Sequence, residues 1–173
     1  MLNGRYMRPF LLELNLCMQQ EQPKLSDIRY SAMSLLAMRE HSAQELKNKL
    51  ERKFESPELV ENAVAGLIEQ NLQSDERFTQ AFVAMRQRQG KGPLVIKMEL
   101  REKGVAAELI AEFIDDADPL WCELACEVRS RKFRGEAPAD ARERAKQMRF
   151  LQYRGFSSRH IQAALKASSH EDW

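Results

Sequence analysis

Arginines spaced two apart in matching surroundings offer this sequence its clearest chemistry. They are Met85-Arg86-Gln87-Arg88 and Val128-Arg129-Ser130-Arg131, with Met38-Arg39-Glu40-His41 at the corresponding upstream place. A guanidinium fork pairs bidentately with phosphate or carboxylate, so this is chemistry for holding anions. Catalytic sets do not assemble around it. His41, His160 and His170 lack metal-ligand spacing and are expected as exposed polar side chains. Cys17, Cys122 and Cys126 are an odd number without a C-x-x-C pair, which argues against a disulfide scaffold or a zinc site and fits a reducing cytoplasm. Cys122 and Cys126, four apart on one helical face, are expected as small apolar fillers. Gly90-Lys91-Gly92 lacks the phosphate-loop pattern G-x-x-x-x-G-K-[ST] and follows no strand, so it reads as a flexible basic connector. Asp75 and Glu76 after Ser74 read as first-turn acids that complement a helix dipole. Trp121 and Phe133 read as packing residues, with Phe133 between Lys132 and Arg134 as a second candidate for a partner-facing anchor. No catalytic residue, metal or cofactor is expected.

The elements that must carry these arginines repeat. Equating Leu50, Leu100 and Leu151 places Lys53, Lys103 and Arg154 three residues later, Val60, Ile110 and Ile161 ten later, and Val64, Ile114 and Leu165 fourteen later. A basic residue at one shared offset and aliphatics at two others define an internal repeat. Each copy reads as helix, loop, helix, tight turn, helix. The loops absorb length differences, with Gly90-Lys91-Gly92-Pro93 in the second copy and Arg134 through Ala141 in the third.

Local signals mark the helix ends. Ser42-Ala-Gln-Glu45 reads as a capping box. Ser56-Pro57, Gly92-Pro93 and Asp118-Pro119 place proline where its missing donor costs nothing. Gly104 and Gly155 sit where a left-handed cap would end the second helix of copies two and three, whereas copy one has Phe54 there. The third helices carry one apolar stripe, Leu59, Val60, Ala63, Val64, Leu67 and then Leu109, Ile110, Phe113, Ile114. No unit can bury such a stripe alone, so neighbours must stack. The expected fold is all-α, three tandem three-helix repeats of about nine helices stacked into an elongated, curved array. Its parts are a poorly ordered leader (1–26), repeats at 27–73, 74–117 and 118–167, and a tail (168–173).

Composition agrees: the 173 residues are 43% hydrophobic and 31% charged with only seven glycines and six prolines, a mix suited to amphipathic helices. The apolar run Phe10 to Leu16 is broken by Glu13 and Asn15 and is too short to span a bilayer. A net charge of +1 gives no overall pull toward nucleic acid or membrane, so placement must do the work. Residues 55–76 hold six acids and no lysine or arginine, and residues 105–127 hold seven acids and again none. Residues 77–104 carry seven bases against two acids, and residues 129–160 carry ten against three. The pattern predicts a basic wall from first and second helices and an acidic one from third helices. Salt bridges between the two walls are the competing use of these charges.

Five ordered motifs then bring a family into view. Met38-Arg-Glu-His-Ser-x-x-Glu-Leu46, Asp75-x-Arg-Phe78, Arg86-x-Arg-x-Gly-Lys-Gly-Pro93, Glu99-Leu-x-x-Lys-Gly104 and Arg149-Phe-Leu-x-x-Arg-Gly-Phe156 together resemble the RecX family of bacterial recombinase regulators, from about Ile28 to Lys166. The resemblance implies a non-enzymatic, cytoplasmic, monomeric negative regulator. It would bind RecA and the RecA filament on single-stranded DNA, lying in the filament groove and limiting filament extension, ATP hydrolysis, strand exchange and co-protease activity. Weak direct DNA contact is implied as a secondary mode, and no membrane. The partner-binding positions it implies are Arg39, Lys53, Arg86, Arg88, Lys91, Lys103, Arg129, Arg131, Arg149 and Arg154. Val95 departs from the family's basic residue after Gly-Pro, and Phe54 departs from its glycine. The alternative reading is a helix-turn-helix-like protein that binds DNA directly, which the small net charge disfavours.

Overall fold

The computed structural model describes residues 24–167. The expectations for residues 1–23 and 168–173, including Cys17 and His170, lie outside the described residues. Nine helices and no strand form there: α1 (Leu25–Met38), α2 (Ala43–Phe54), α3 (Pro57–Glu69), α4 (Asp75–Arg88), α5 (Pro93–Glu102), α6 (Ala107–Phe113), α7 (Leu120–Phe133), α8 (Ala141–Tyr153) and α9 (Ser158–Ala167). Helix α1 starts at Leu25, inside the stretch read as leader.

The helices close in threes, each around its own core. Ile28, Ala32, Leu46, Leu50, Val60, Ala63, Val64 and Leu67 make the first. Phe78, Phe82, Val83, Ile96, Leu100, Val105, Ile110 and Ile114 make most of the second. Ala125, Val128, Leu151, Phe156, Ile161, Ala164 and Leu165 make the third. All nine residues equated at the three aliphatic offsets are buried. Each buried aliphatic or aromatic contributes roughly 1.5–3 kcal/mol, which is why these offsets, and few others, recur. Cys126 packs against the third core as a filler, and burial raises its thiol pKa. Phe133 is half-buried with its ring edge-on to Phe150, which fits the packing reading.

Trp121 belongs to α7 but is buried in the second core, and its Nε1–H donates to the Asp115 carbonyl at 2.9 Å. Leu124 packs against both the second and third cores. The first helix of the third unit thus completes the core of the second, as stacking requires.

One docking move recurs where units meet. The turn after the second helix of one unit lies on the start of the second helix of the unit before. At the first junction Ser42 Oγ donates to the Lys103 carbonyl at 2.7 Å. A Cβ on Gly104 would stand 2.6 Å from the Gln44 Cβ. At the second junction the Gly92 amide donates to the Arg154 carbonyl at 2.8 Å and the Leu94 amide to the Gly155 carbonyl at 3.1 Å. A Cβ on Gly155 would stand 2.6 Å from Val95 Cγ2, and one on Gly92 would stand 2.5 Å from the Gly155 carbonyl. Both turn glycines also hold positive φ, 77° at Gly104 and 90° at Gly155. Val95, the departure from the basic family residue, is therefore a packing surface for the next unit. Phe54 stands in a turn with no preceding three-helix unit to approach among the described residues. There the left-handed residue is Glu55, one position later, and Phe54 packs onto its own core.

Several local expectations change. Gly90-Lys91-Gly92 is a fixed cap, not a flexible connector. The Lys91 amide donates to the Arg86 carbonyl at 3.0 Å, and Gly90 and Gly92 are both buried under the third unit. Ser42 accepts the Glu45 amide at 3.1 Å, but no return bond from Glu45 completes the box, because its carboxylate faces Arg39 and Lys103 instead. Asp75 does more than complement a dipole. Its Oδ1 accepts the Ala43 amide and the Gln73 side-chain amide, both at 2.8 Å, clasping the start of α2 from the next unit.

Candidate functional site

The ten positions expected to hold a partner divide into three kinds. Arg39, Lys53, Arg86, Lys103 and Arg154 are engaged within the fold. Arg39 grips Glu45 with both Nη atoms, at 2.9 and 3.1 Å, and Lys103 Nζ approaches the same carboxylate at 3.4 Å. Burial alone would raise the Glu45 pKa, but the Arg39 hydrogen bonds and the charges of Lys103, Arg39 and His41 outweigh it and hold it at about 2. Lys53 donates to Ser31 Oγ at 2.9 Å and lies over the Phe54 ring. Arg86 sits over Phe82 and meets Glu99 at 2.7 Å, at an angle that makes an ion pair and not a hydrogen bond. Arg154 donates to the Gln89 carbonyl at 2.8 Å and lies over Phe150.

Arg129 is buried, with 2% of its surface exposed, which removes it from the list of partner contacts. Its Nε donates to Gln147 Oε1 at 2.7 Å and its Nη2 to the Glu136 carbonyl at 2.6 Å, tying α7 to α8 and to the loop between them. The two-residue spacing contains the explanation. Residues two apart on a helix point about 200° away from each other, so an Arg-x-Arg pair cannot present both ends to one partner. Arg129 continues the buried line of Ala125 and Val128, while Arg131 faces out. Arg86 likewise continues the line of Phe78 and Phe82, while Arg88 is exposed.

The third kind remains available. Arg88, Lys91 and Arg149 have no side-chain partner among the described residues, and Arg131 has only Glu127, one turn earlier on the same exposed face. An exposed pair of that kind is worth about 0–1 kcal/mol and exchanges readily for a partner's anion. Of the expected positions, the fold brings Arg131 and Arg154 together. They line a cleft of about 170 Å³ at the second junction with Lys132, Gln89, Gly90, Val128 and Phe150. Sequence reading had not placed Lys132 or Gln89 in a site. Lys132 could have been found from its place beside Arg131 at the C-terminal end of α7; Gln89 carried no such signal.

Charge segregation is partly consumed inside the units. Lys47 pairs with Glu61 at 2.6 Å, and Lys97, its equivalent, pairs with Asp116 at 2.9 Å. Two histidines also move from the expected surface to the interior. His41 is buried beside Lys49, with Nδ1 bonded to the Arg39 carbonyl, and burial lowers its pKa. His160, 1% exposed, donates from Nε2 to the Asp116 carbonyl at 3.1 Å and accepts Ser157 Oγ–H at Nδ1, joining the third unit to the second. Neither stands in a group of three or more metal-binding side chains among the described residues.

Fold and surface together define a class, a tandem array of three-helix units whose unpaired cations gather on its later units. Family models describe the same units: RecX, second three-helix domain, matches residues 74–113, and RecX, third three-helix domain, matches residues 122–165. The Regulatory protein RecX of Halorhodospira halophila is 41% identical over 84% of this chain and 90% of its own length. That of Pseudomonas syringae pv. tomato is 45% identical over 75% of this chain and 83% of its own. The crystal structure of RecX from Lactobacillus salivarius superposes with a TM-score of 0.69 at 19% identity, covering 84% of this chain and 96% of that one. The chain belongs to the RecX family of regulatory proteins. No described helix is long and apolar enough to cross a membrane.

Proposed function

We propose that this chain is a monomeric, cytoplasmic negative regulator of the RecA recombinase. It binds RecA and its filament on single-stranded DNA and limits filament extension, ATP hydrolysis, strand exchange and co-protease activity by occupying a surface, not by catalysing a reaction. The observation that carries this reading is the set of cations without side-chain partners among the described residues, Arg88, Lys91, Lys132 and Arg149 on the second and third units, together with the cleft that Arg131, Lys132 and Arg154 line. Long cationic side chains free of internal ion pairs are available to an acidic protein surface or to phosphates at little cost. Family membership supplies the regulatory role.

Third helices supply no reading surface for a duplex in the first two units. Helix α3 carries Glu58, Glu61 and Glu69, α6 carries Glu108 and Glu112, and neither has a lysine or arginine. This supports a filament regulator over a helix-turn-helix reader.

Substoichiometric protein is expected to slow the single-strand-dependent ATPase of RecA. Combining Arg88→Glu, Lys91→Glu, Arg131→Glu and Lys132→Glu is expected to abolish that effect. Undiminished inhibition by the folded quadruple variant overturns the proposed surface.

A further inference from the structure

Helix α8 presents a second surface that the cleft does not use. Arg142, Lys146, Arg149 and Tyr153 follow one another at spacings of four, three and four. At 100° per residue they lie within a stripe about 60° wide, rising about 16 Å along the axis. The helix buries Gln147 and Leu151 on the other side, so the stripe is its solvent face. Ala145 and Phe150 flank that line on either side, and no acid falls on it.

The occupancy of this face is unusual. Tyr153 is 84% exposed, with Met38 the most open of the large hydrophobic side chains among the described residues, although a ring of that size gains from being covered. Arg142 and Arg149 are exposed and have no partner among the described residues. Lys146, 64% exposed, makes an i,i+3 pair with Glu143 at 3.3 Å and lies 5.9 Å from the Phe133 ring centre. Both are surface contacts that leave the ammonium within reach of solvent. Neither other unit repeats the stripe: Glu102 and Arg52 stand in place of Tyr153, and Met98 in place of Arg149.

We propose that this face of α8 is a binding strip for single-stranded nucleic acid, with Arg142, Lys146 and Arg149 on successive phosphates and a base stacked on Tyr153. Cations along a line neutralise a charged backbone, and an open aromatic ring at its end supplies the sequence-tolerant stacking that an unpaired strand, and not a duplex, can use. An acidic protein segment would use the three cations but has no base to lay on the ring. Phe150 and Arg154 of the cleft lie on the adjoining flank of the same helix, so the strand would run beside the cleft. The inference deepens the regulatory reading, since the strand would be that of the recombinase filament, but its test contains no recombinase.

Fluorescence anisotropy of the full chain with labelled oligo-dT, in a salt series starting near 50 mM, measures the contact. Saturable binding is expected. Arg142→Gln with Arg149→Gln should lower the salt slope by about 1.4, two phosphates' worth on a single strand. Tyr153→Ala should weaken binding about tenfold without changing that slope. Circular dichroism of each variant confirms that it is folded, and Tyr153→Phe, which keeps the ring, should restore binding. Absence of oligo-dT binding by the parent chain at 50 mM salt overturns the proposal, as does binding unaffected by these variants. Competition by poly-glutamate combined with indifference to Tyr153→Ala would reassign the strip to an acidic protein. ATPase inhibition measured separately shows whether the regulatory reading survives any of these outcomes.

Discussion

The two junctions solve one packing problem by different chemistry. Between the first and second units, side chains do the joining: Ser42 to the Lys103 carbonyl, Asp75 to the Ala43 amide, and Glu45 held between Arg39 and Lys103. Between the second and third, main chain meets main chain at Gly92, Leu94, Arg154 and Gly155. The first junction uses its cations as mortar. The second adds close glycine contacts to its side-chain bonds, Arg154 to the Gln89 carbonyl and His160 to the Asp116 carbonyl, and Arg131 and Lys132 beside it face solvent. A repeat position can therefore be structural in one copy and available in the next, so equivalence in sequence does not carry equivalence of role.

That contrast can be broken most severely at Gly92. Gly92→Ala drives a methyl into the Gly155 main chain, which cannot rotate away, and should cost about 3 kcal/mol or more in urea unfolding. Gly135→Ala is the control. Its φ is also positive, but a Cβ there meets nothing within 4 Å, so the loss should be about 1 kcal/mol. Equal losses would show that close approach at the junction is unimportant.

Next comes acid. With the Glu45 carboxyl held at about 2 against an ordinary 4.5, the folded state is favoured above pH 4.5, and that stabilisation is lost as pH falls from 4.5 toward 2. The side chain is largely shielded, so the loss should reach up to about 3 kcal/mol. Glu45→Gln should flatten the stability curve across this window, whereas no comparable effect is expected from Glu127→Gln at the exposed Arg131 pair. A curve unchanged by Glu45→Gln would remove the ionic account of the first junction.

Arg129→Gln should cost about 2 kcal/mol by leaving the Glu136 carbonyl and the Gln147 side chain short of a donor. Arg131→Gln, two residues on, should change stability by less than about 0.5 kcal/mol while weakening inhibition of RecA. Thermal melts with the ATPase assay separate the two, and a reversed order would return Arg129 to the surface.

Much of the fold could be read from sequence because helix periodicity and turn chemistry are local. The offsets through Leu50, Leu100 and Leu151 found the three cores, and Gly104 and Gly155 found the turns. What those glycines are for was not legible, since a close approach involves a partner distant in the chain. The same limit explains the site. His160 reads as a polar surface residue until Asp116, 44 positions away, is placed against it. Arg129 was legible in part, because it continues the apolar line of Ala125 and Val128. Lys103 and Arg154 were found as a matched pair, but they use their charges on different groups of the preceding unit, the Glu45 carboxylate and the Gln89 carbonyl.

The main-chain seam at Gly92 and Gly155 has a bearing on how this surface could change over generations. The angle between the last two units is set by amide and carbonyl groups that every substitution on the exposed faces of α7 and α8 leaves intact. Charges there can be exchanged one at a time while the mutual orientation of these two units stays constant. The surface charge can thus drift and be retuned without disturbing the seam that joins the two units.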